Sequence, residues 1–151
     1  MDELDRKIVR TLQVDGRITN QELASRVGLS PSPCLRRLRR LESEGVIEGY
    51  AAMVDQGRYG LPLDIFVQVK LERHTEETVR TFEEHVRAVD EILDCYLMTG
   101  SADYLLHLAS ADLEHYDRFM RMRLQNIPGI AAIETSFAIK AIKRRGAFPR
   151  V

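Results

Sequence analysis

One stretch near the N-terminus constrains the fold more than any other, because it carries the start and stop signals of a short helix. Thr19 and Glu22 form a T-x-x-E capping box, which predicts that a helix begins at residue 20. Gly28 suits the left-handed conformation that ends a helix, so we expect this helix to span residues 20–27.

Two further helices are predicted on either side of it. Apolar residues at helical spacing predict the first, and they are Leu4, Ile8, Val9 and Leu12. The other follows a Gly-Leu-Ser turn and covers residues 31–44, because Ser30 or Ser32 can cap it and the proline after either serine can occupy the first helical position. Two helices joined by a tight turn, after a third, predict a helix-turn-helix.

A change of pattern follows this helical region. Residues 46–52 place β-type side chains around Gly49, which predicts a small wing or an exit strand. Gly57, Gly60 and Pro62 then predict a linker over residues 53–62.

From Leu63 to Leu71 the apolar period is two, which is typical of a half-buried strand. Further strands are predicted over residues 92–98, 104–109 and 133–139. One helix follows a Thr75 cap, and another presents Leu113, Tyr116, Met120, Leu124 and Ile127 before Pro128-Gly129. The order β-α-β-β-α-β predicts a ferredoxin-like α+β domain. We therefore expect a winged helix-turn-helix over residues 1–52, the ferredoxin-like domain over 63–142 and a basic tail over 143–151.

The charges are segregated along the chain although the net charge is only -1. Residues 1–60 carry ten basic and nine acidic residues, whereas residues 61–139 carry seven and fourteen. Residues 140–151 carry five basic residues and no acidic one. A DNA-binding end joined to an acidic domain explains this segregation. We expect the tail to be a frayed, solvated terminus, although it can reach DNA phosphates or an acidic neighbour.

The third helix has the composition of a DNA reader. Its basic residues are Arg36, Arg37, Arg39 and Arg40, and helical spacing puts Pro33, Arg36, Arg37 and Arg40 on one face. The planar fork of arginine can bind phosphate or guanine through two parallel hydrogen bonds. A solvated charged helix face is the alternative. Together with the start of the helix, the predicted DNA-binding residues are Ser30, Ser32, Pro33, Arg36, Arg37 and Arg40.

The sequence offers no catalytic constellation, cofactor motif or metal-ligand spacing, so we expect no enzyme activity and no metal. Cys34 and Cys95 are far apart, and we interpret both as small buried hydrophobic residues. No long apolar run and no secretory signal pattern is present, which predicts a cytoplasmic protein associated with the nucleoid and with no membrane partner.

Several motifs in order resemble the leucine-responsive/asparagine-responsive (Lrp/AsnC) transcription regulators over nearly the whole chain. They are Asp5-Arg6-Lys7-Ile8, Asp15-Gly16-Arg17-Ile18, Glu22-Leu23-Ala24, Val27-Gly28-Leu29-Ser30-Pro31, Cys34-Leu35-x-Arg37, Leu41-Glu42-x-x-Gly45-x-Ile47-x-Gly49-Tyr50, Gly100-x-x-Asp103-Tyr104-Leu105-Leu106, Ile127-Pro128-Gly129 and Glu134-Thr135. The resemblance implies a DNA-binding regulator with an amino-acid-sensing domain. It also implies homodimers built through that domain, which assemble into tetramers, octamers or larger rings.

The loop between the second and third strands of this domain is the candidate effector site. Asp103 can neutralise the ammonium of an amino acid, while Thr99 and the amides near Gly100 can bind its carboxylate. An ordinary β-turn is the alternative on chemistry alone. The resemblance favours an effector site in a cleft between dimers, with Ser101 in the loop and with Gln125 and Thr135 as further contacts. Leu97 and Met98 can form an apolar wall, or they can be core or interface residues.

Two rival functions remain open. An architectural protein would wrap DNA without a ligand, and an effector that changes DNA affinity or assembly would distinguish the regulator from it. An enzyme domain controlled by its own helix-turn-helix is the other rival, and the missing nucleophile, base and metal cluster count against it.

We expect dimerisation through residues 61–151 and a monomeric segment over residues 1–60.

Overall fold

The computed structural model describes residues 1–144 and 146–149. The chain forms two compact units: an N-terminal unit of Met1–Met53 joined by the segment from Ile142 on, and a C-terminal unit of Val54–Ala141. Three residues of the predicted basic tail, Arg145, Arg150 and Val151, lie outside the described residues.

Three helices build the N-terminal unit: α1 (Glu3–Val14), α2 (Asn20–Val27) and α3 (Pro31–Ser43). The Thr19 capping box begins α2, and Gly28 ends it with a φ of +77°, as predicted from the sequence. The apolar faces of the three helices meet in one small core, whose buried residues are Ile8, Leu23, Ala24, Val27, Cys34 and Leu41. Such a core leaves the opposite faces of the helices to solvent or to a ligand.

The predicted strand over residues 46–52 does not form in this unit. Instead the amides of Val46 and Ile47 both donate to the Leu41 carbonyl, at 2.9 and 3.1 Å, so they fold back on the end of α3. The Tyr50 hydroxyl donates to the Glu42 carboxylate at 2.8 Å. A strand needs a partner for its backbone groups, and no strand among residues 1–53 supplies one. The wing segment therefore forms no strand among the described residues.

The tail was predicted to be frayed, and at Phe148 this prediction is wrong. The Phe148 amide donates to the side chain of Gln13 at 3.0 Å, and its carbonyl accepts a hydrogen bond from the Arg10 guanidinium. Both partners are on α1, so the tail adds contacts to the first helix of the N-terminal unit.

The C-terminal unit is an α+β domain with one antiparallel sheet. Its elements are α4 (Gln56–Tyr59), β1 (Leu63–Leu71), α5 (Glu76–Arg87), β2 (Ile92–Leu97), β3 (Tyr104–Ser110), α6 (Leu113–Met122), a 3-10 turn (Leu124–Asn126) and β4 (Ile130–Phe137). The strand order is β2-β3-β1-β4, which is the ferredoxin-like arrangement predicted from the sequence. No helix among the described residues is long and apolar enough to cross a membrane.

Both long helices of this unit, α5 and α6, pack on the same face of the sheet. The central strand β1 alternates between the two faces, with Ile65, Val67 and Val69 fully buried under the helices. Phe82 of α5 and Phe119 of α6 are buried in the same core. The second face of the sheet bears Phe66, Gln68 and Lys70 of β1 and is not covered by a helix of this unit. We call it the open face.

Local structure differs from the prediction at four places. The helix predicted through Ile127 ends at Met122, because the Asn126 side chain donates to the carbonyls of Arg121 and Met122 and caps it. Strand β4 starts at Ile130 and ends at Phe137, so Ile139 is fully exposed. Cys95 was predicted to be buried but is exposed on β2. Helix α4 was not predicted, since it is a single turn capped by the Asp55 side chain.

Gly129 is a position where the fold requires the absence of a side chain. Its φ is +85°, and an added Cβ would lie 2.5 Å from Thr78 Cγ2 on α5. Its carbonyl accepts a hydrogen bond from the Glu72 amide at 2.8 Å, so the loop cannot easily retreat.

We predict that Gly129→Ala destabilises the C-terminal unit by about 2–4 kcal/mol, from the left-handed conformation and the overpacking together. Gly60→Ala is the matched control, because Gly60 has a φ of +99° but open space around it; it should cost only about 1–2 kcal/mol. Adding Thr78→Ser, which removes Cγ2, should recover part of the Gly129→Ala loss. Hydrogen exchange of buried β1 amides measures each effect, and equal losses in the two alanine variants would contradict the steric argument.

Candidate functional site

The four arginines of α3 divide into two pairs. Arg36 and Arg39 are exposed, and neither forms a salt bridge with another described residue. Arg37 and Arg40 instead turn toward the start of α1, where they bind carboxylates. The helix therefore presents two uncompensated positive charges beside two that are already paired.

Asp5 is the centre of the paired group. Its side chain is only 1% exposed; Oδ1 accepts from Arg37 Nη1 at 2.8 Å and Oδ2 from Arg40 Nη2 at 2.6 Å. The same Arg37 nitrogen also donates to Asp2 Oδ2 at 2.6 Å. A buried carboxylate requires such partners, and here they come from a helix more than thirty residues away in sequence.

The pKa values of these groups reflect the contacts. Burial alone would raise the pKa of the Asp5 carboxyl, but the Asp2 amide and the Arg37 guanidinium outweigh it and lower that pKa. The Asp5 amide and then Arg37 lower the pKa of Asp2 to about 2. Asp2 and Asp5 in turn raise the pKa of Arg37. All three groups are thus charged at neutral pH.

The first turn of α3 contains the remaining predicted DNA contacts. Ser30 is the N-cap residue but its hydroxyl makes no capping hydrogen bond, and Ser32 is exposed beside it. Pro33 is half-buried. The side-chain amide of Asn20, on α2, donates from Nδ2 to the Pro31 carbonyl at 2.9 Å and fixes the start of α3.

The structure changes which arginines share the outer face of α3. Arg37 and Arg40 were predicted to face outward with Arg36, but the guanidinium groups of both turn to the side and bind Asp5 of α1. Arg39 was counted among the basic residues but left out of the predicted site, and it is exposed. Asp5 is the residue from which this pairing could have been predicted, because a carboxylate on the otherwise apolar face of α1 indicates a partner on another helix.

Asp103 lies between strand and loop in the second candidate site. Its Oδ2 accepts from the Leu71 amide at 2.8 Å, and its Oδ1 lies 2.7 Å from His74 Nε2. The Leu71 hydrogen bond and then His74 lower the pKa of Asp103. Its backbone carbonyl accepts from the Met98 amide at 2.8 Å, which closes the loop as a turn. His74 was not singled out from the sequence, because no motif marks it.

The rest of the loop is solvent-accessible. Gly100 has a φ of +123°, which favours glycine, and Thr99 and Ser101 are exposed beside it. Leu97 is 74% exposed and Met98 is 42% exposed, so neither belongs to the core of this unit. The loop thus combines accessible backbone, two hydroxyls, one carboxylate and two apolar side chains.

The other two predicted effector contacts are not joined to this loop within the chain. Gln125 is exposed in the 3-10 turn, and no hydrogen bond links it to the loop among the described residues. Thr135 is on β4, which is separated from β3 by β1, and its hydroxyl is hydrogen-bonded to that of Tyr116.

The open face carries an unpredicted polar group. His107 Nε2 lies 3.0 Å from Asp64 Oδ1, and Nδ1 lies 3.2 Å from Asp94 Oδ2. The imidazole stacks on Phe66, with ring centroids 4.8 Å apart and nearly parallel planes. Strand pairing brings Phe66, His107 and Asp94 into one row across β1, β3 and β2, and Asp64 lies two residues before Phe66 on the same face of β1. No group of three or more His, Cys, Asp or Glu side chains within residues 1–144 and 146–149 is arranged to hold a metal ion.

Two family models match the chain and together cover both units. The model of the Lrp/AsnC ligand binding domain matches residues 64–148, and a winged helix-turn-helix DNA-binding model matches residues 1–48. A DNA-binding helix-turn-helix joined to a ligand-binding α/β domain places this chain in a class of transcription regulators. The chain belongs to the Lrp/AsnC family of these regulators and is not an enzyme.

Individual relatives agree with this assignment. The Bkd operon transcriptional regulator of Pseudomonas aeruginosa is 42% identical over 149 residues, with 99% of this chain and 97% of the relative covered. The leucine-responsive regulatory protein of Escherichia coli is 38% identical over 144 residues, with 95% and 88% covered. A transcriptional regulator of Neisseria meningitidis, solved as its L-Met complex, superimposes with a TM-score of 0.94 at 38% identity, with 99% and 96% covered.

Proposed function

We propose that α3 is the DNA-reading helix and that Arg36 and Arg39 make its main outward contacts. The observation that carries this proposal is their exposure without a salt-bridge partner among the described residues. Unpaired guanidinium groups on one helix face can each neutralise a phosphate or bind a guanine edge. Arg37 and Arg40 contribute from the edge of this surface, and Ser30, Ser32 and Pro33 lie at its N-terminal end. Since double-stranded DNA is its target, we place the protein at the nucleoid in the cytoplasm.

Replacing Arg36 or Arg39 with glutamine should weaken binding to a 40-base-pair duplex. If the arginine contacts a phosphate, the slope of log affinity against log salt should flatten by about one per subunit engaged. If it reads a base, the difference in binding free energy between the preferred base pair and the others should fall by about 1–3 kcal/mol. Arg118→Gln, on α6 of the C-terminal unit, is the matched control and should bind like the parent. Anisotropy titrations at several salt concentrations measure both quantities. Parent-like binding by both α3 variants would exclude α3 as the DNA reader.

We further propose that the loop from Leu97 to Asp103 binds an amino-acid effector that modulates DNA binding. The Asp103 carboxylate is already oriented by Leu71 and His74, and each carboxylate oxygen has a second lone pair for an ammonium. Exposed hydroxyls and the amides around Gly100 can bind the carboxylate. The L-Met complex of the Neisseria meningitidis relative and the leucine-responsive relative make L-methionine and L-leucine the first probes.

We predict that Asp103→Asn weakens binding of the responsive amino acid by more than about tenfold, because the variant keeps an acceptor for Leu71 but loses the charge that neutralises the ammonium. DNA affinity without the amino acid should stay at the parental value. Asp117→Asn, which removes an exposed carboxylate paired with Arg121, is the control. Calorimetry measures ligand binding, and DNA titration with and without ligand measures the response. A full response by Asp103→Asn at unchanged ligand concentration would show that the loop is only a turn.

We also propose that the open face of the sheet forms the homodimer, which can then assemble into tetramers or octamers. Phe66 is 37% exposed and Tyr96 is 50% exposed on this face, beside the His107 group that is held by two aspartates. A sheet face with exposed aromatic residues pairs well with a second copy across a two-fold axis. Gln125 and Thr135 would then complete an effector site only through assembly of subunits.

Phe66→Asp should weaken this dimer by more than about a hundredfold, because two uncompensated carboxylates would be buried in each interface. Leu113→Asp is the control, since Leu113 is 61% exposed at the start of α6 and its replacement is equally charged. Light scattering over a concentration series gives the mass, and circular dichroism checks the fold. A dimeric Phe66→Asp protein with parental dissociation behaviour would rule out the open face.

A further inference from the structure

Arg37 contacts two carboxylates at the start of α1 through a single guanidinium nitrogen. Its Nη1 lies 2.6 Å from Asp2 Oδ2 and 2.8 Å from Asp5 Oδ1. The two carboxylates differ in accessibility, because the Asp5 side chain is 1% exposed and the Asp2 side chain is 54% exposed. Asp5 is part of the packed structure, whereas Asp2 binds Arg37 from the solvent side.

The two contacts therefore have different consequences for an incoming anion. Asp5 also binds Arg40 and the Asp2 amide, so its displacement would leave a buried carboxylate without partners. The Asp2 contact is exposed and screened by water, and such pairs contribute little to stability. A phosphate offers the same kind of oxygen acceptor to a guanidinium as a carboxylate does. It can replace Asp2 but not Asp5.

We propose that Asp2 is a built-in counter-anion of the DNA-reading helix. Its carboxylate occupies the Arg37 donor that a DNA backbone phosphate takes, and it thereby lowers the affinity for DNA of any sequence. The proposal rests on the assignment of α3 as the DNA reader. The contacts of the other arginines to base edges are unaffected. Asp2 therefore lowers only the part of the DNA affinity that comes from phosphate contacts and does not depend on sequence. Asp2 would thus lower the affinity for operator and non-operator DNA by the same factor, and it would set how tightly the protein binds DNA without changing the ratio of the two affinities.

The role of Asp2 as the helix cap can be separated from its role as a charge. Asp2 Oδ1 accepts from the Asp5 amide at 2.9 Å, and Asp5 Oδ2 accepts from the Asp2 amide at 2.9 Å, which forms the capping box of α1. Asparagine caps a helix about as well as aspartate does. Asp2→Asn therefore keeps the cap and removes only the charge that binds Arg37.

Glu3→Gln is the matched control. It removes one negative charge from the same turn of α1, but Glu3 pairs with Lys7 at 3.2 Å and not with Arg37. Any effect of net charge or of the helix dipole is therefore common to both variants. A difference between them isolates the contact with Arg37.

The experiment measures binding of the full chain to a 40-base-pair duplex of mixed sequence by fluorescence anisotropy at several NaCl concentrations. We expect Asp2→Asn to bind about two- to fivefold more tightly than Glu3→Gln at low salt. Its slope of log affinity against log salt should be steeper by about one per subunit engaged, because Arg37 can now neutralise a phosphate. Thermal unfolding should show that both variants keep the parental fold.

Arg37→Gln distinguishes failure of this proposal from failure of Arg37 as a DNA contact, and Arg36→Gln and Arg39→Gln test α3 itself. If Arg37→Gln binds the duplex like the parent, Arg37 is not a DNA contact, and both statements about Arg37 are wrong. If Arg37→Gln weakens binding while Asp2→Asn and Glu3→Gln remain indistinguishable, the DNA contact stands and the counter-anion proposal is overturned. The proposal also requires that Asp2→Asn has no effect beyond that of Glu3→Gln when Arg37 is glutamine.

Discussion

Both long helices of the C-terminal unit pack on one face of a four-stranded sheet, and this leaves the second face to water or to a partner. Strand β1 shows the constraint most clearly, because Ile65, Val67 and Val69 are fully buried while Phe66 between them is 37% exposed. The period of two along a strand makes the two faces inseparable, so a sequence that builds the core also specifies the open face. Here that face carries aromatic side chains and a histidine fixed by two aspartates. Solubility alone does not require such residues, which is why we propose that this face is the surface of self-association.

The N-terminal unit instead has a concentration of positive charge on one helix. Four arginines within five positions of α3 repel one another unless anions lie nearby. Asp5 neutralises part of this charge from within the unit and fixes Arg37 and Arg40 against α1. Arg36 and Arg39 have no salt bridge to another described residue, so their charge is left for an external polyanion. The same carboxylate thus links α1 to α3 and distinguishes the two paired arginines from the two that we propose contact DNA.

Much of the fold follows from local sequence signals, whereas the contacts of the candidate sites depend on tertiary packing. The first and last residues of α2 and β1 were predicted correctly, because the capping box at Thr19 and the alternation from Leu63 to Leu71 are local signals. The end of α6 was missed, since Asn126 caps it through a side chain that periodicity does not register. The wing strand was predicted from residue type but has no pairing strand within residues 1–144 and 146–149. The contacts of Asp5 with Arg37 and of Asp103 with His74 join residues about thirty positions apart, which no spacing rule connects.

The geometry of Asp103 bears on whether its loop is a turn or a binding site, and the two descriptions are compatible. The Leu71 amide and His74 hold the carboxylate in one orientation, and the Met98 amide closes the loop behind it. A carboxylate that is already ordered loses little conformational freedom when an ammonium binds, so preorganisation favours affinity. The structural role of Asp103 is therefore what would make it an effective ligand contact. By the same reasoning, an asparagine at this position separates the two roles, because it can keep the hydrogen bond to Leu71 while it removes the charge.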